Sequence, residues 1–299
     1  MMNLGDTKAD QQPDVASFDL ADKWIFAELN KTVASVTAKF DKFEFGEAAR
    51  DLYNFIWGEF ADWYIEMSKE TLTGDDETKK AAKRVNLAYV LDQILRLLHP
   101  IMPFVTEKLW LTMPHDGDSI VTAKYPEVHA EFTNDAAVTE MGRVIELIRA
   151  VRGIRNDANA PLSTPIHVVI ALNDDSLKAA FTANRAILDR FLNTASLKIV
   201  DAGADIPEAK TAASAVITGA TVYVPLAELI DFDAEIAKLK KTSDKLDKEI
   251  ARIDKKLGNP GFMGKAPAAV IDEQRQKKAD FETKQAAAQD RIKELEAAR

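Results

Sequence analysis

The sequence predicts a mainly α-helical chain: a helical bundle, then a small α/β module, then a C-terminal antiparallel coiled-coil hairpin. Three observations predict it. Apolar residues recur at helical spacing from Trp24 to Ile154. After Pro161 the period changes, and β-branched runs such as TPIHVVIAL read as short strands. From Asp231 onward apolar residues alternate at spacings of three and four, the signature of a heptad seam. The expected division is 1–16 as a loose polar lead-in, 17–158 as the bundle, 159–228 as the α/β module and 229–299 as the hairpin.

The first helix opens at SFDLADKWIFAELN, with Ser17 or Asp19 as N-cap, and carries Trp24, Leu29, Val33, Val36 and Phe40 on one face. The second runs from about Phe45 to Leu72, with Leu52, Phe55, Ile56, Phe60, Trp63 and Met67 inward, and ends at TGDDE. The third covers about Thr78–Leu98. The prolines of His99-Pro100 and Met102-Pro103 then kink the chain before FVTEKLWLTM resumes the helix. After a loop holding Pro114, Gly117 and Pro126, a fourth helix, about Asp135–Arg155, turns Val144, Leu147, Ile148, Val151 and Ile154 inward.

In the α/β module TPIHVVIAL, SLKIVDA, SAVITG and TVYVPL read as strands, the last two joined at Gly219-Ala220. DDSLKAAFTANRAILDRFLN reads as one helix between the first two. In the hairpin, Ile236, Leu239, Ser243, Leu246, Ile250, Ile253 and Leu257 form the outgoing seam. Ile271, Gln274, Lys278, Phe281, Gln285, Ala288, Ile292 and Leu295 form a weaker returning one. Antiparallel register predicts flanking pairs Glu249–Lys277, Glu235–Arg291 and Asp254–Arg275, each worth about 0–1 kcal/mol at an exposed site.

Composition narrows the function. The 299 residues contain no cysteine, which excludes disulfides, Cys-ligated zinc and thiol catalysis, and four scattered histidines argue against a His-based metal site. No apolar run is long enough to span a bilayer and no signal peptide opens the sequence, so a cytoplasmic protein without a membrane partner is expected. The net charge of −9 argues against a nonspecific nucleic-acid or DNA binder. The charge is uneven, however. Residues 231–299 hold 16 Lys+Arg against 14 Asp+Glu, a net of +2, which leaves 23 against 34 and −11 for residues 1–230. A locally basic arm on an acidic body points to a polyanion.

Catalytic motifs are nearly absent: there is no Gly-rich phosphate loop and no Ser/His/Asp arrangement. EMSKE, Glu66–Glu70, faintly resembles the core of a nucleotide-binding loop, but it lies on an amphipathic helix and reads as structural. The binding candidates are cationic. Lys238, Lys245 and Arg252 share one heptad position, and Lys241, Lys248 and Lys255 the adjacent outermost one. The six make an acid-free stripe that is either a plain solvated face or a phosphate-tracking one. At the tip, LGNPGFMGKAP must break the helix; Phe262 either plugs the end of the hairpin core or stacks on a partner, with Lys265 placed for phosphate. In IRAVRGIRND, Arg149, Arg152 and Arg155 step along one side of the fourth helix as a second cationic ribbon, or as a solvated flank.

Four stretches together carry a resemblance. FEFGEAARDLYNFIWGEFADWYIEMSKE and LRLLHPIMPFVTEKLW resemble the anticodon-binding helical domain of the class I synthetases for valine, isoleucine and leucine. IRAVRGIRNDANAPLSTPI resembles the end of that domain in the valine enzymes. LGNPGFMGKAPAAVIDEQRQKKADFETK resembles the tip and return helix of the coiled-coil arm of bacterial valyl-tRNA synthetases. The resemblance runs from about residue 17 to the end.

It implies the C-terminal part of such an enzyme, whose intact form attaches valine to its tRNA using ATP and Mg²⁺ held in a catalytic domain. The HIGH and KMSKS motifs of that domain are absent here, so this chain is expected to be inactive alone, with no cofactor or metal of its own and no catalytic residues. The implied partner is valine tRNA, engaged by a monomer. The bundle would meet the anticodon limb and the arm the outer corner. Two other readings stay open. In one, a non-enzymatic interaction protein binds a protein partner through the weak seam at Gln274, Lys278 and Gln285. In the other, a complete enzyme uses EMSKE.

Overall fold

A computed structural model describes residues 7–8, 11–173, 176–201, 203–229, 232–264 and 266–298. The chain is mainly helical, with one four-stranded sheet, and divides into two compact units, Met1–Glu146 and Leu147–Arg299. The division falls within a helix, ahead of the expected boundary at 158/159. Of the lead-in, residues 1–6 and 9–10 lie outside the described residues.

In the first unit, α1 (Leu20–Asp41) begins with a capping box. Asp19 Oδ1 accepts from the Asp22 N–H at 2.8 Å while the Asp22 carboxylate accepts from the Asp19 N–H at 3.3 Å. Asp19 is therefore the cap, and Ser17 sits in a preceding single turn, Val15–Ser17. The expected second helix is continuous but changes winding. It runs as α2 (Phe45–Tyr53), a π-helical stretch (Asn54–Tyr64) and α3 (Ile65–Thr73). Phe55, Phe60, Trp63 and Tyr64 are buried from the wide stretch. The apolar spacing carries no sign of the change, because a π turn alters the pitch without altering which residues are apolar.

Asp76 caps α4 (Glu77–Leu98) through the N–H groups of Thr78 and Lys79. The kink before α5 (Pro103–Trp110) is held by His99, whose Nδ1 lies 2.7 Å from the hydroxyl of buried Thr106. His99 is thus a kink residue, as its place before Pro100 suggested. α6 follows at Asp135–Asp157.

The first turn of α1 and the second turn of α4 are joined by a charge cluster whose Asp19 side chain is half exposed. Lys83 Nζ lies 2.6 Å from Asp22 Oδ1 and 2.7 Å from Asp19 Oδ2, and the Tyr64 hydroxyl donates to Asp22 at 2.5 Å. The Lys83 and Asp22 side chains are each only 3% exposed. One cation thus serves two carboxylates. Burial favours the neutral form of both, but Lys83 and the capping hydrogen bonds outweigh it for Asp19, which is held low. Burial, reinforced by the Asp19 charge, pushes Asp22 up against the pull of Lys83. Burial and Asp22 together drive Tyr64 well up, so it remains a donor.

Glu59, in the π-helical stretch, is a second, half-buried acid. Its Oε2 is buried and makes no hydrogen bond among the described residues. Burial, with Glu28 nearby, pushes its carboxyl up to about 7. The unfolded chain ionises this group near the ordinary value of 4.5, so between 4.5 and about 7 the fold binds the extra proton. Stability from this group is therefore full below pH 4.5 and is lost as pH rises through about 7. Glu59→Gln is expected to stabilise the chain by about 2 kcal/mol at pH 8 and to change little at pH 4, as urea titrations at the two pH values will read.

The second unit holds a sheet of order β2-β1-β4-β3. β1 (Ile166–Leu172) pairs parallel with β2 (Thr194–Val200) through a helical crossover. That crossover is two helices, not the one expected: α7 (Ser176–Ala183) and α8 (Arg185–Leu192) meet at Asn184. The Asn184 side chain donates back to the Ala180 carbonyl at 2.8 Å, a bond that closes the first helix. β3 (Ala212–Ile217) and β4 (Ala220–Pro225) form the expected hairpin, and β4 also pairs antiparallel with β1. Gly219 has φ +79°, the conformation that a two-residue hairpin loop needs.

After α9 (Leu226–Leu229), α10 (Phe232–Leu257), α11 (Pro260–Met263) and α12 (Ala268–Ala298) form the antiparallel hairpin. Ile236, Ser243 and Ile253 are buried from α10, and Ala288 and Ile292 from α12. The seams follow the expected register, but the flanking pairs do not. Lys278 reaches out of the seam to Asp254 at 2.5 Å. Arg275 turns to Asp272 at 3.4 Å, Lys277 to Glu273 at 3.8 Å and Glu249 to Arg252 at 3.8 Å. Sequence counting overlooked that a long side chain at a core position competes for the flanking acid. The side chains of Glu235 and Arg291, the third expected pair, lie outside the described residues.

Candidate nucleic-acid interface

The outer stripe of α10 is placed as a stripe. Lys241, Lys245, Lys248, Arg252 and Lys255 are all exposed, and the Lys238 side chain lies outside the described residues. A helix repeating every 3.6 residues carries residues seven apart to nearly the same azimuth, so the heptad positions line up along the rod. The flanking acids are partly spent across the hairpin, Asp254 on Lys278 and Asp247 on the Gln285 amide. Arg252 lies 3.8 Å from Glu249 with its side chain 81% exposed, a contact too long and too wet to hold it.

Towards the tip the two helices leave a groove of about 360 Å³. Ile253, Gln274 and Phe281 lie along it, and Arg252, Lys256 and Lys277 supply three cations. Lys256 also sits with its ammonium 5.0 Å from the centroid of the Phe262 ring. Half-buried Phe262 is thus neither a full plug nor a bare platform, since the Lys256 ammonium lies over its ring. Asn259 Oδ1 accepts from the Gly261 N–H at 2.9 Å and fixes the tip turn. Lys265 lies outside the described residues, as does the Met263 side chain. Lys256, Lys277 and Phe281 did not stand out in sequence because they belong to two helices far apart in the chain; a helical-wheel projection of both seams in antiparallel register would have brought them together.

The arginine ribbon does not survive intact. Arg149 is exposed and Arg152 half-buried, its guanidinium 5.4 Å from the Phe191 ring centroid. Arg155 is 1% exposed. Its Nη1 donates to the Pro161 carbonyl at 2.8 Å and its Nη2 to the Leu192 carbonyl at 2.7 Å. It ties the end of α6 to the α/β module and has no surface left for phosphate. Residues three apart lag about 60° per step on a helix, so two steps carry the third side chain about 120° round to the inner side.

A site that sequence reasoning missed lies in the first unit. A cleft of about 310 Å³ brings together Lys8, Tyr89, Arg96, His115, Lys124 and Tyr125. Asp92 organises one wall, accepting from Trp110 Nε1 at 2.8 Å and pairing with Arg96 Nε at 2.8 Å. Arg96 also donates to the Lys124 carbonyl at 3.2 Å. Burial pushes the Tyr89 and Tyr125 hydroxyls up to about 12, so both present O–H donors. Rings, cations and hydroxyls converging on one cleft suit an unstacked base with its phosphate. Its parts come from four separated segments, which no local motif could have signalled.

EMSKE offers no nucleotide site. Met67 and Ser68 are buried, Ser68 Oγ donates to the Tyr64 carbonyl at 2.7 Å, and Lys69 pairs with Glu66 at 2.5 Å. ATP phosphates would find neither a free hydroxyl nor an open loop there. Among the described residues no helix is long and apolar enough to cross a membrane.

Comparison with known proteins fits these placements. Residues 22–170 match the family model described as the anticodon-binding domain of tRNA ligase. Residues 231–296 match that of the valyl tRNA synthetase tRNA binding arm. The chain is 56% identical over 298 residues to the valine–tRNA ligase of Lacticaseibacillus casei, covering 100% of this chain and 33% of the relative. It is 52% identical over 296 residues to that of Lactobacillus johnsonii, covering 99% and 33%. It is 48% identical over 295 residues to that of Bacillus subtilis, again covering 99% and 33%. The chain thus spans about a third of the length of the curated relatives it matches.

Proposed function

Because the chain belongs to the valine–tRNA ligase family and matches the C-terminal third of its members, we propose that it is the tRNA-engaging portion of such a ligase. Its partner on this reading is valine tRNA, bound by a cytoplasmic monomer. The intact enzyme joins valine to that tRNA at the expense of ATP, with ATP and Mg²⁺ held outside this chain.

The observation that carries the reading is the cationic groove with its aromatic wall on the arm, at Arg252, Lys256, Lys277 and Phe281. The arm positions RNA through backbone phosphates and reads no sequence, because a row of lysines recognises charge alone. At 26 residues α10 spans about 39 Å, enough to reach a distant part of an L-shaped ligand. Base discrimination falls to the bundle, where the cleft at Tyr89, Arg96 and Tyr125 can take a splayed nucleotide. The alternative, a protein partner entering the weak seam, is disfavoured by the cross-hairpin bonds that already occupy Lys278 and Gln285.

The test is binding of the 299-residue chain to valine tRNA and to a non-cognate tRNA across a salt series, beside a variant lacking 232–298. Affinity for valine tRNA should fall steeply with salt and weaken without the hairpin. Salt-independent binding, or equal binding with and without the hairpin, would overturn the reading.

A further inference from the structure

At the root of the arm a carboxylate takes the place of a strand partner. β4 pairs with β1 from Leu172 opposite Ala220 to Val169 opposite Tyr223. Carrying that register on by two residues would set His167 opposite Pro225, but the pairing has stopped and β4 ends there. The chain turns at once into α9, and Glu228 supplies the acceptor instead. Its Oε2 accepts from the His167 N–H at 2.7 Å, and His167 Nδ1 donates to its Oε1 at 2.7 Å. One carboxylate thus holds both the backbone and the ring of a β1 residue, a firmer grip than the single contact of an ordinary surface ion pair. Leu229 beside it is 3% exposed, and α9 packs on β1, β3 and β4.

What α9 leads to gives this grip its consequence. α9 is only four residues long, too short to be stable by itself, so its anchors set its direction. α10 starts at Phe232, three residues after Leu229. At about 1.5 Å per residue α10 extends about 39 Å, so a tilt of about 10° at its root moves its far end by about 7 Å. That is more than twice the length of a hydrogen bond. The cations Arg252, Lys256 and Lys277 lie towards that far end.

We infer that Glu228 is a positioning residue: held on His167, it sets the direction in which the arm leaves the α/β module. The module is then the mount of the arm, and the groove near the tip is presented to RNA already aimed. A pre-aimed arm binds more tightly than a swinging one because less freedom is lost on binding. The effect on affinity rests on the reading of the arm as RNA-binding; the effect on the arm's direction does not.

The experiment uses the absence of cysteine, which lets introduced cysteines carry spin labels uniquely in the 299-residue chain. Ser214→Cys on β3 with Asp280→Cys on α12 reports the arm, and Ser214→Cys with Thr182→Cys on α7 reports the module; all three positions are exposed. Double electron–electron resonance should give a narrow arm distance in the parent and one at least about twofold broader in Glu228→Ala, with the module distance unchanged. Glu228→Gln keeps an oxygen for the His167 N–H and should restore the parent width. Glu228→Ala should also weaken valine tRNA binding by about tenfold without changing the slope of log affinity against log salt, because no phosphate contact is lost. An arm width unmoved by Glu228→Ala would overturn the inference. So would equal broadening of the module pair, which would make Glu228 part of the module's fold alone, or a reduced salt slope, which would make it part of the RNA contact. If the parent fails to bind valine tRNA while the widths behave as expected, the RNA reading of the arm fails and the role of Glu228 in aiming it stands.

Discussion

Lys83→Met is expected to lower the Tm of this chain by about 10 °C or more. Breaking a buried ion pair by removing one partner costs about 3–5 kcal/mol, because the remaining charge has neither water nor a counter-ion. Here that stranded charge is Asp22, 3% exposed; Asp19, whose side chain is 51% exposed, keeps water and adds less. The pH dependence identifies the cause. In the parent chain the two acids oppose each other. Asp19, held low, contributes stability that is present above the ordinary carboxylate range and lost as pH falls through its own pKa. Asp22, pushed up, contributes stability that is present at low pH and lost as pH rises. Without Lys83 both carboxyls are driven up by burial and by each other. The deficit is then largest at neutral pH and shrinks towards pH of about 4, where both can hold protons. Adding Asp22→Asn to Lys83→Met should recover part of the lost Tm. A deficit independent of pH would mean that Lys83 matters through its packed alkyl stem instead.

The second large effect is on binding. Reversing Arg252, Lys256 and Lys277 to Glu together should weaken valine tRNA binding by about a hundredfold or more at 0.1 M salt. It should also reduce the slope of log affinity against log salt by about three, one for each phosphate contact removed. These side chains are exposed, so the variant's Tm should barely move, which separates lost contacts from lost structure. Reversing Lys241, Lys248 and Lys255, the outer stripe, gives the comparison. If the groove binds the RNA, its three reversals cost more than the stripe's three. If the stripe tracks the backbone alone, the order inverts. No effect from either set would remove the arm from the interface.

The two sets also mark how far sequence carries. The limits of α1, α4 and α6, the seam positions Ile236 to Leu257 and the outward row of lysines were legible because they depend on periodicity within one segment, and periodicity is written in the chain. Arg155 was not legible. Its spacing from Arg149 and Arg152 resembles a ribbon, yet the carbonyls of Pro161 and Leu192 that take its guanidinium come from folding the α/β module against the end of α6. Lys278 was misassigned for a related reason: its place in the heptad is a core place, and only the facing helix shows that its ammonium escapes to Asp254.

By itself, then, the sequence determined the helical bundle, the strand-bearing module, the antiparallel arm and the cationic stripe of that arm. Each follows from residue types at fixed spacing along a single element. The tertiary structure alone decided which cations share a groove, that a cleft gathers Lys8, Arg96 and Tyr125, and that Lys83 is buried between two acids. These depend on how separate elements approach one another. A charge acquires its energy from the dielectric and partners around it, and those exist only once distant segments have been packed together.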